Sequence, residues 1–271
     1  MTKFAQTLSK ILFGVIAATG MVSTQAFAAG AACLPFGEAQ TSPTDVPTLQ
    51  RGAKLYFNYC SSCHSLQYMR YSRLAQDLNL TETQVMQNLA YTEAKFGDYI
   101  TNNMPKGGRG AAPGGTEWFG APPPDLSLTA RARGVDWIYN YLKGFYPDPS
   151  RPVGWNNLTF PNASMPNPLW ELQGLQEHVV PEAKSGGTEA AGGGHAADAA
   201  CSPASLALKT PGTRSAQQYD ADIQDLTSFI EYVGEPAIIQ RESMGVWVLL
   251  YLAGLTFLLW LLKTEFWKDV H

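Results

Sequence analysis

Charged side chains are scarce in this sequence. Asp, Glu, Lys and Arg make up 15% of its 271 residues, against roughly 25% in an ordinary soluble domain. This shortage predicts that part of the chain lies in a membrane or a buried interface. Basic residues number 19 against 23 acidic ones, so the net charge is −4. Nucleic-acid binding is not expected, because a polyanion requires a basic face.

The sequence also lacks the alternating hydrophobic pattern of β-strands. Apolar residues recur instead at helical spacing, and a capping box at Thr81–Gln84 starts another helix. With only four cysteines, a disulfide scaffold is excluded. The sequence therefore predicts an all-α domain with long loops rich in glycine and proline. The predicted helical segments lie around Leu49–Tyr56, Thr81–Gln84, Asp136–Leu142, Leu169–His178 and Ile223–Val233.

The N-terminal segment has the features of a secretory signal. Lys3 and Lys10 supply a basic start, Ile11–Val22 is mostly apolar, and Ala26-Phe27-Ala28 forms a small-x-small cleavage site. A run of about a dozen apolar residues is too short for a bilayer, which requires roughly 20. We therefore expect residues 1–28 to be removed on export.

The C-terminal segment is long enough to cross a membrane. Met244–Leu262 contains no charged residue and as a helix would span about 28 Å, close to the roughly 30 Å hydrocarbon core. Arg241 precedes it, and Lys263 and Lys268 follow it. Glu235-Pro236 is the expected start of this helix, since proline is tolerated in a first turn.

These two ends divide the chain into three predicted parts. Residues 1–28 are the signal peptide, residues 29–240 form an exported domain, and residues 241–271 form the anchor with a short cytoplasmic tail. Within the exported domain, residues 181–203 carry a run of glycine and alanine and are expected to be a flexible insertion.

The segment Cys60-Ser61-Ser62-Cys63-His64 carries the chemistry. In a Cys-x-x-Cys-His motif both thiols add to the vinyl groups of a haem, and the adjacent imidazole is brought to the iron. A redox dithiol would need a βαβ surround, and a zinc site would need a second pair of ligands. The single motif predicts one covalently attached haem c, just past the end of the first helix.

The second axial ligand of the iron is not decided by spacing. Met69 is too close to His64, and Met86 belongs to the capped helix. Met104 and Met165 lie in loops next to prolines, and His178 would give bis-imidazole ligation. Spacing alone slightly favours Met104.

Several segments together resemble the cytochrome c1 family, the haem subunits of the cytochrome bc1 complex. The resemblance covers about Leu49–Lys268 and includes one C-terminal membrane span. The segments that carry it are Tyr56–Leu66, Pro123–Ser127, Arg131–Arg133, Phe160–Pro166 and Val233–Pro236, followed by Arg241 and Met244.

The resemblance implies a set of site residues and a function. His64 and Met165 would be the axial ligands, and Arg133, with Arg131 second, would hold a haem propionate. The protein would take single electrons from a Rieske iron–sulfur subunit and pass them to a soluble cytochrome c or an equivalent carrier. It would not be an enzyme on its own.

The resemblance also implies partners and a location. Cytochrome b and the Rieske protein would be the partners, within a dimeric complex of the bacterial inner membrane. The haem domain would face the periplasm and the C-terminus the cytoplasm. Two alternatives are a membrane-bound cytochrome c that serves an oxidase and a haem peroxidase with an open iron site.

Cys33 and Cys201 lie outside the haem motif. Because exported thiols tend to pair, we expect a disulfide between them. The alternatives are two free cysteines or a lipid on Cys33.

Overall fold

A computed structural model describes residues 34–91, 93–102, 104, 115–179 and 206–269. Over these ranges the chain is about half helical and also contains six short strands. The helices are α1 (Val46–Tyr59), α2 (Tyr71–Asp77), α3 (Glu82–Asn88), α4 (Thr116–Phe119), α5 (Thr129–Arg133), α6 (Val135–Lys143), α7 (Trp170–Gln173), α8 (Ala216–Gly234) and α9 (Ile238–Phe266). The strands are β1 (Leu66–Arg70), β2 (Tyr99–Ile100), β3 (Phe145–Pro147), β4 (Trp155–Asn157), β5 (Gly174–His178) and β6 (Leu206–Pro211).

The centre of the fold is the close crossing of α1 and α8. Gly52 makes it possible, because a Cβ at this position would lie 2.2 Å from Asp225 O and 2.7 Å from Phe229 Cβ. Beside the crossing, Arg51 holds Asp225 through two hydrogen bonds of 2.6 and 2.9 Å. The apolar faces of both helices are buried, as their spacing predicts. These fully covered residues include Leu49, Tyr56, Leu226 and Phe229.

Side chains define where several helices begin. Asp45 accepts a hydrogen bond from Thr48 N at the start of α1, and Ser215 forms a capping box with Gln218 at the start of α8. The predicted capping box of Thr81 and Gln84 is confirmed at the start of α3. The predicted helix at Asp136–Leu142 is also confirmed, as α6.

The all-α prediction is only partly confirmed, because the described residues also contain three antiparallel pairs of short strands. Strand β1 pairs with β2, β3 with β4, and β5 with β6. The predicted helix at Leu169–His178 is shorter, since α7 ends at Gln173 and β5 follows. Gly174 makes this change with φ of +93°, and its backbone approaches Thr210 so closely that a Cβ would lie 2.2 Å from the carbonyl oxygen.

The β5–β6 hairpin is bound to the end of α6. The amide of Gln176 donates to the carbonyl oxygens of Lys143 and Phe145, both at 3.0 Å. At the end where the chain leaves β5 and returns to β6, His178 pairs with Leu206. The two ends of the segment between them therefore lie side by side.

An extended N-terminal segment, residues 34–45, is bound to α6 and α8. Phe36 N donates to Asn140 Oδ1 at 2.7 Å, and Asn140 Nδ2 donates to Gly37 O at 2.7 Å. Farther along, Ser42 N donates to Ser228 Oγ at 3.0 Å. The predicted signal peptide, the insertion at 181–203, Cys33 and Cys201 all lie outside the described residues.

Helix α9 is 29 residues long, with a mean hydropathy of 2.2 over its most apolar part and none of that part buried. At 1.5 Å per residue it is about 43 Å long, which is enough to cross a bilayer. Among the described residues it is the one helix with this length and composition. It starts at Ile238, later than the predicted Glu235-Pro236, because a turn at 235–237 separates it from α8.

Candidate functional site

The Cys-x-x-Cys-His segment forms a compact turn where α1 ends, as predicted. Cys60 N and Ser61 N both donate to Tyr56 O, and His64 N donates to Cys60 O at 2.9 Å. Cys60 is buried and Cys63 half-buried, and both are free thiols. Burial, with a smaller contribution from Cys63, raises the pKa of Cys60 to about 12. Both thiols therefore lie on one turn directly before His64.

The His64 ring is fixed by a hydrogen bond to a backbone carbonyl. Its Nδ1 lies 2.7 Å from Pro124 O, and a carbonyl oxygen can only accept, so Nδ1 carries the proton. The lone pair is then on Nε2, which is the arrangement usual for a metal-binding histidine. Burial lowers the pKa of His64, and the Pro124 contact and Asp125 oppose this in part. A neutral imidazole beside two thiols fits the donor set that haem c requires.

Neighbouring segments hold this turn in place. Tyr56 Oη donates to His64 O at 2.6 Å, and burial raises the pKa of Tyr56, which keeps the phenol a donor. Asn102 Nδ2 donates to Cys63 O at 2.7 Å, and Asn102 N donates to Ser65 Oγ at 2.8 Å. Leu126 N donates to Ser65 O at 2.9 Å. The turn is therefore bound to residues 102 and 124–126.

Met104, which spacing favours as the second ligand, packs beside the segment that binds His64 Nδ1. It is 8% exposed. A Cβ at Gly115 would lie 2.9 Å from Met104 Cε and 2.7 Å from Pro123 Cδ, so Met104 and Pro123 are neighbours. Since Pro124 binds Nδ1 and a metal would bind Nε2, this position favours a packing role for Met104.

Three further candidates for the second ligand, Met69, Met86 and His178, have different surroundings. Met69 is buried in the core, and Met86 is half-buried against it. His178 stacks on Tyr146 with ring centroids 4.7 Å apart. Each of these three side chains therefore has a packing contact in the described structure.

Met165 lies in a loop that buried asparagines hold in place. Asn157 Oδ1 accepts from Thr159 N and Phe160 N, and its Nδ2 donates to Tyr141 O at 2.7 Å. Farther along the loop, Asn167 Oδ1 accepts from Leu169 N. The Tyr141 hydroxyl donates to Met165 Sδ at 3.5 Å. The loop therefore presents the thioether to the C-terminal end of α6.

Arg133 belongs to the same neighbourhood as Met165. Its guanidinium lies 5.1 Å from the Trp137 ring and 5.9 Å from the Phe160 ring, and Trp137 stacks on Tyr141 at 4.9 Å. Arg131 points elsewhere, with its Cγ 3.4 Å from the place a Cβ would occupy at Gly234. Of the two predicted arginines, only Arg133 is joined to the Met165 neighbourhood by these contacts.

Sequence patterns do not identify Pro124, Asn102 and Tyr141 as site residues. The contact of Pro124 with His64 joins positions 60 apart, and that of Tyr141 with Met165 joins positions 24 apart. One signal for Tyr141 is present in the sequence. Trp137 and Tyr141 have the i, i+4 spacing of a single face of α6.

Comparison with known proteins finds a matching family model and similar relatives that bear the same name. The model of the Cytochrome C1 family matches residues 38–179. The chain is 46% identical over 228 residues to cytochrome c1 from Allochromatium vinosum, which covers 84% of this chain and 86% of the relative. It is 30% identical over 244 residues to cytochrome c1 from Rhodospirillum rubrum, with 83% of each chain covered.

A third relative has a different name. The chain is 39% identical over 234 residues to a protein named ammonia monooxygenase gamma subunit from Nitrosomonas europaea, with 86% of this chain and 88% of the relative covered. The family match spans more than half of the chain and includes the turn at Cys60–His64 and the loop that contains Met165. On this evidence, the chain belongs to the cytochrome c1 family, the electron-transport subunits of the cytochrome bc1 complex that carry covalently bound haem c.

Proposed function

We propose that this protein carries single electrons from a Rieske iron–sulfur subunit to a soluble cytochrome c, or an equivalent carrier, in a quinol–cytochrome c oxidoreductase. It has no catalytic activity on its own. The observation that carries the proposal is the His64 ring, whose Nδ1 binds Pro124 O at 2.7 Å beside two free thiols. This arrangement leaves Nε2 for an iron ion.

Three residues of the turn would attach the cofactor. Cys60 and Cys63 would each form a thioether with a vinyl group of the haem, and His64 Nε2 would bind the iron. When bound, the haem supplies the one-electron chemistry of its iron. The protein contributes a rigid turn, because Tyr56 and Asn102 bind the carbonyls of His64 and Cys63.

Met165 would supply the second axial ligand. A thioether raises the reduction potential of haem iron, which suits an acceptor of electrons from a high-potential iron–sulfur cluster. The position of Met104 beside Pro123 supports this choice. A second protein ligand leaves no open position for a peroxide or a diatomic gas, which argues against a peroxidase.

Arg133 is the proposed partner of a haem propionate, and Arg131 is the second candidate. Both arginines are exposed, and within the described part of the chain neither forms an ion pair with a carboxylate. The aromatic contacts of Arg133 connect it through Trp137 and Tyr141 to Met165. Its charge is therefore available to an anionic group beside the Met165 loop.

Helix α9 would anchor the protein in the bacterial inner membrane. The signal peptide, residues 1–28, would be removed, and residues 29–240 would form the periplasmic haem domain. Residues 241–271 would cross the membrane and end in the cytoplasm, with Lys263 and Lys268 on the cytoplasmic side in agreement with the positive-inside rule. Cytochrome b would contact the anchor in a dimeric complex.

The test is to solubilise the native membrane in mild detergent and to identify what copurifies with this protein. We expect cytochrome b and a Rieske protein in equal amounts with it. Copurification with an oxidase alone would support the shuttle alternative. Copurification with ammonia monooxygenase subunits would instead contradict the proposal and favour the role named for the Nitrosomonas europaea relative. A reduced spectrum that shifts with carbon monoxide would contradict the two-ligand site.

A further inference from the structure

The hydroxyl of Tyr141 is directed at the sulfur of Met165. It donates a hydrogen bond to Sδ at 3.5 Å, within the distance expected of the larger sulfur atom. Among the described residues, Met165 is the methionine whose sulfur accepts a hydrogen bond from a tyrosine hydroxyl. Met104, by comparison, is in contact with Gly115 through its sulfur and methyl group.

The tyrosine ring is fixed, so its hydroxyl is held at a defined place. It stacks on Trp137 at 4.9 Å with an interplanar angle of 9°, and it meets the Phe145 ring edge-on at 4.9 Å. Asn157 Nδ2 donates to Tyr141 O at 2.7 Å. The same asparagine organises the start of the Met165 loop through Thr159 N and Phe160 N. Donor and acceptor are thus parts of one hydrogen-bonded unit.

A thioether sulfur has two lone pairs. If Met165 binds iron with one of them, as the proposed function holds, the other can still accept the Tyr141 proton. A hydrogen bond to the sulfur withdraws electron density from it, so the sulfur donates less strongly to the iron. The ferric ion depends more on this donation than the ferrous ion does, and it is therefore destabilised more.

We propose that Tyr141 is a positioning residue that holds Met165 and raises the reduction potential of the haem through its hydrogen bond to Sδ. The proposal rests on the proposed function, in which Met165 is the axial ligand. It assigns to Tyr141 a role that neither the haem motif nor the loop around Met165 indicates.

The test is Tyr141→Phe in the full-length holoprotein, solubilised in detergent. The variant keeps the ring and its stacking and removes only the hydroxyl. Since a net hydrogen bond is worth about a fivefold change in an equilibrium constant, we expect the ferrous-to-ferric ratio at a given ambient potential to fall about fivefold. For one electron this is a drop of about 40 mV.

The matched control is Tyr219→Phe. Tyr219 is also a buried tyrosine, and its hydroxyl donates to Leu142 O at 3.1 Å without reaching a sulfur. In this variant the ferrous-to-ferric ratio at the same ambient potential should change by less than about twofold. An unchanged potential in Tyr141→Phe, or an equal change in both variants, would overturn the proposal.

A second measurement separates this proposal from the ligand assignment on which it rests. Ferric haem with a methionine ligand has a weak long-wavelength sulfur-to-iron absorption band. If the unmodified protein lacks this band, Met165 is not the ligand and both proposals fail. If the band is present and is lost in Met165→Leu, but Tyr141→Phe shifts neither the band nor the potential, the ligand assignment stands and only the role of Tyr141 is wrong.

Discussion

Met165 and Met104 both lie next to prolines in loops, and their surroundings give them different roles. Met104 is packed against Gly115 and Pro123, on the chain segment that binds His64 Nδ1. Met165 is in a loop held by asparagines, and its sulfur faces a tyrosine hydroxyl. For two methionines in similar sequence contexts, the neighbouring side chains are the basis on which we propose Met165 as the ligand and Met104 as a packing residue.

Replacing Met165 by leucine should therefore lower the potential strongly. The variant preserves the volume and removes the sulfur, so we expect a fall on the order of 0.2 V within the roughly 0.8 V range that axial ligands control. At 59 mV per tenfold change, this is more than a thousandfold loss in the equilibrium for electron transfer. Redox titration of the detergent-solubilised protein measures it.

Met104→Leu is the matched control, because it makes the same change in a buried loop methionine. Its potential and spectrum should remain nearly those of the unmodified protein. If Met104→Leu abolishes the high potential and Met165→Leu does not, the two assignments must be exchanged.

At the scale of single residues, the sequence predicts attachment better than positioning. Cys60, Cys63 and His64 are recognisable because their chemistry requires fixed spacing within five positions. The residues that orient them are distant in sequence, as with Pro124 and Asn102. Backbone carbonyls such as Pro124 O carry no side-chain signature, so only the fold reveals them.

Among the helices and strands, the close crossing of α1 and α8 depends on one glycine, Gly52, which has no side chain. A Cβ at Gly52 would lie 2.2 Å from Asp225 O, so the helices must separate if it is present. Gly52→Ala should destabilise the domain by about 2 kcal/mol or more through overpacking, although alanine favours a helix by about 1 kcal/mol. The midpoint of thermal unfolding, followed by the helical circular dichroism signal, should fall by several degrees.

Gly97→Ala is the control for this prediction, since a Cβ at Gly97 would meet no atom within 4 Å. Its midpoint should stay close to that of the unmodified protein. Equal midpoints for both variants would mean that the crossing does not require close approach.

The sequence predicts the long helices of this fold better than its strands. Helices α1 and α8 have 14 and 19 residues, enough for several repeats of the apolar pattern. The strands have two to six residues, and those with five or six do not alternate between buried and exposed positions as a half-buried strand would. The helix predicted through His178 fails for this reason, because the five-residue strand β5 follows the short helix α7.

For the whole molecule, the described contacts of the haem domain do not involve most of α9. Ile238, at its start, is 8% exposed and Ile239 packs against the core, whereas the apolar part beyond is exposed. A chain that ends after Gln240 should therefore give a water-soluble domain with the haem spectrum of the full protein. Fractionation of cells that express it measures the distribution between membrane and soluble fractions.

A chain that ends after Glu235 is a useful comparison. It also lacks Ile238, whose burial contributes about 2 kcal/mol, so it should be soluble and less stable. If the longer fragment remains in the membrane without partner subunits, α9 is not the sole anchor.

The disulfide between Cys33 and Cys201 remains a prediction, and the chain adjoining both cysteines supports it. The segment after Cys33 reaches α6, where the Phe36 ring lies 5.0 Å from Lys143 Nζ. Strand β6, which begins at Leu206 after Cys201, pairs with β5, and Gln176 of β5 donates to Lys143 O at the same helix end. Peptide mapping without reduction should find the two cysteines linked, and two free thiols in freshly isolated protein would disprove it.

The pairing of His178 with Leu206 makes the segment between them a convenient place to engineer the protein. Because His178 and Leu206 are already paired, an insertion between them that keeps Cys201 should cost mainly the entropy of closing a longer loop, about 0.6 kcal/mol for each doubling of length. An affinity tag or a fluorescent reporter inserted there would leave both chain termini in their native form.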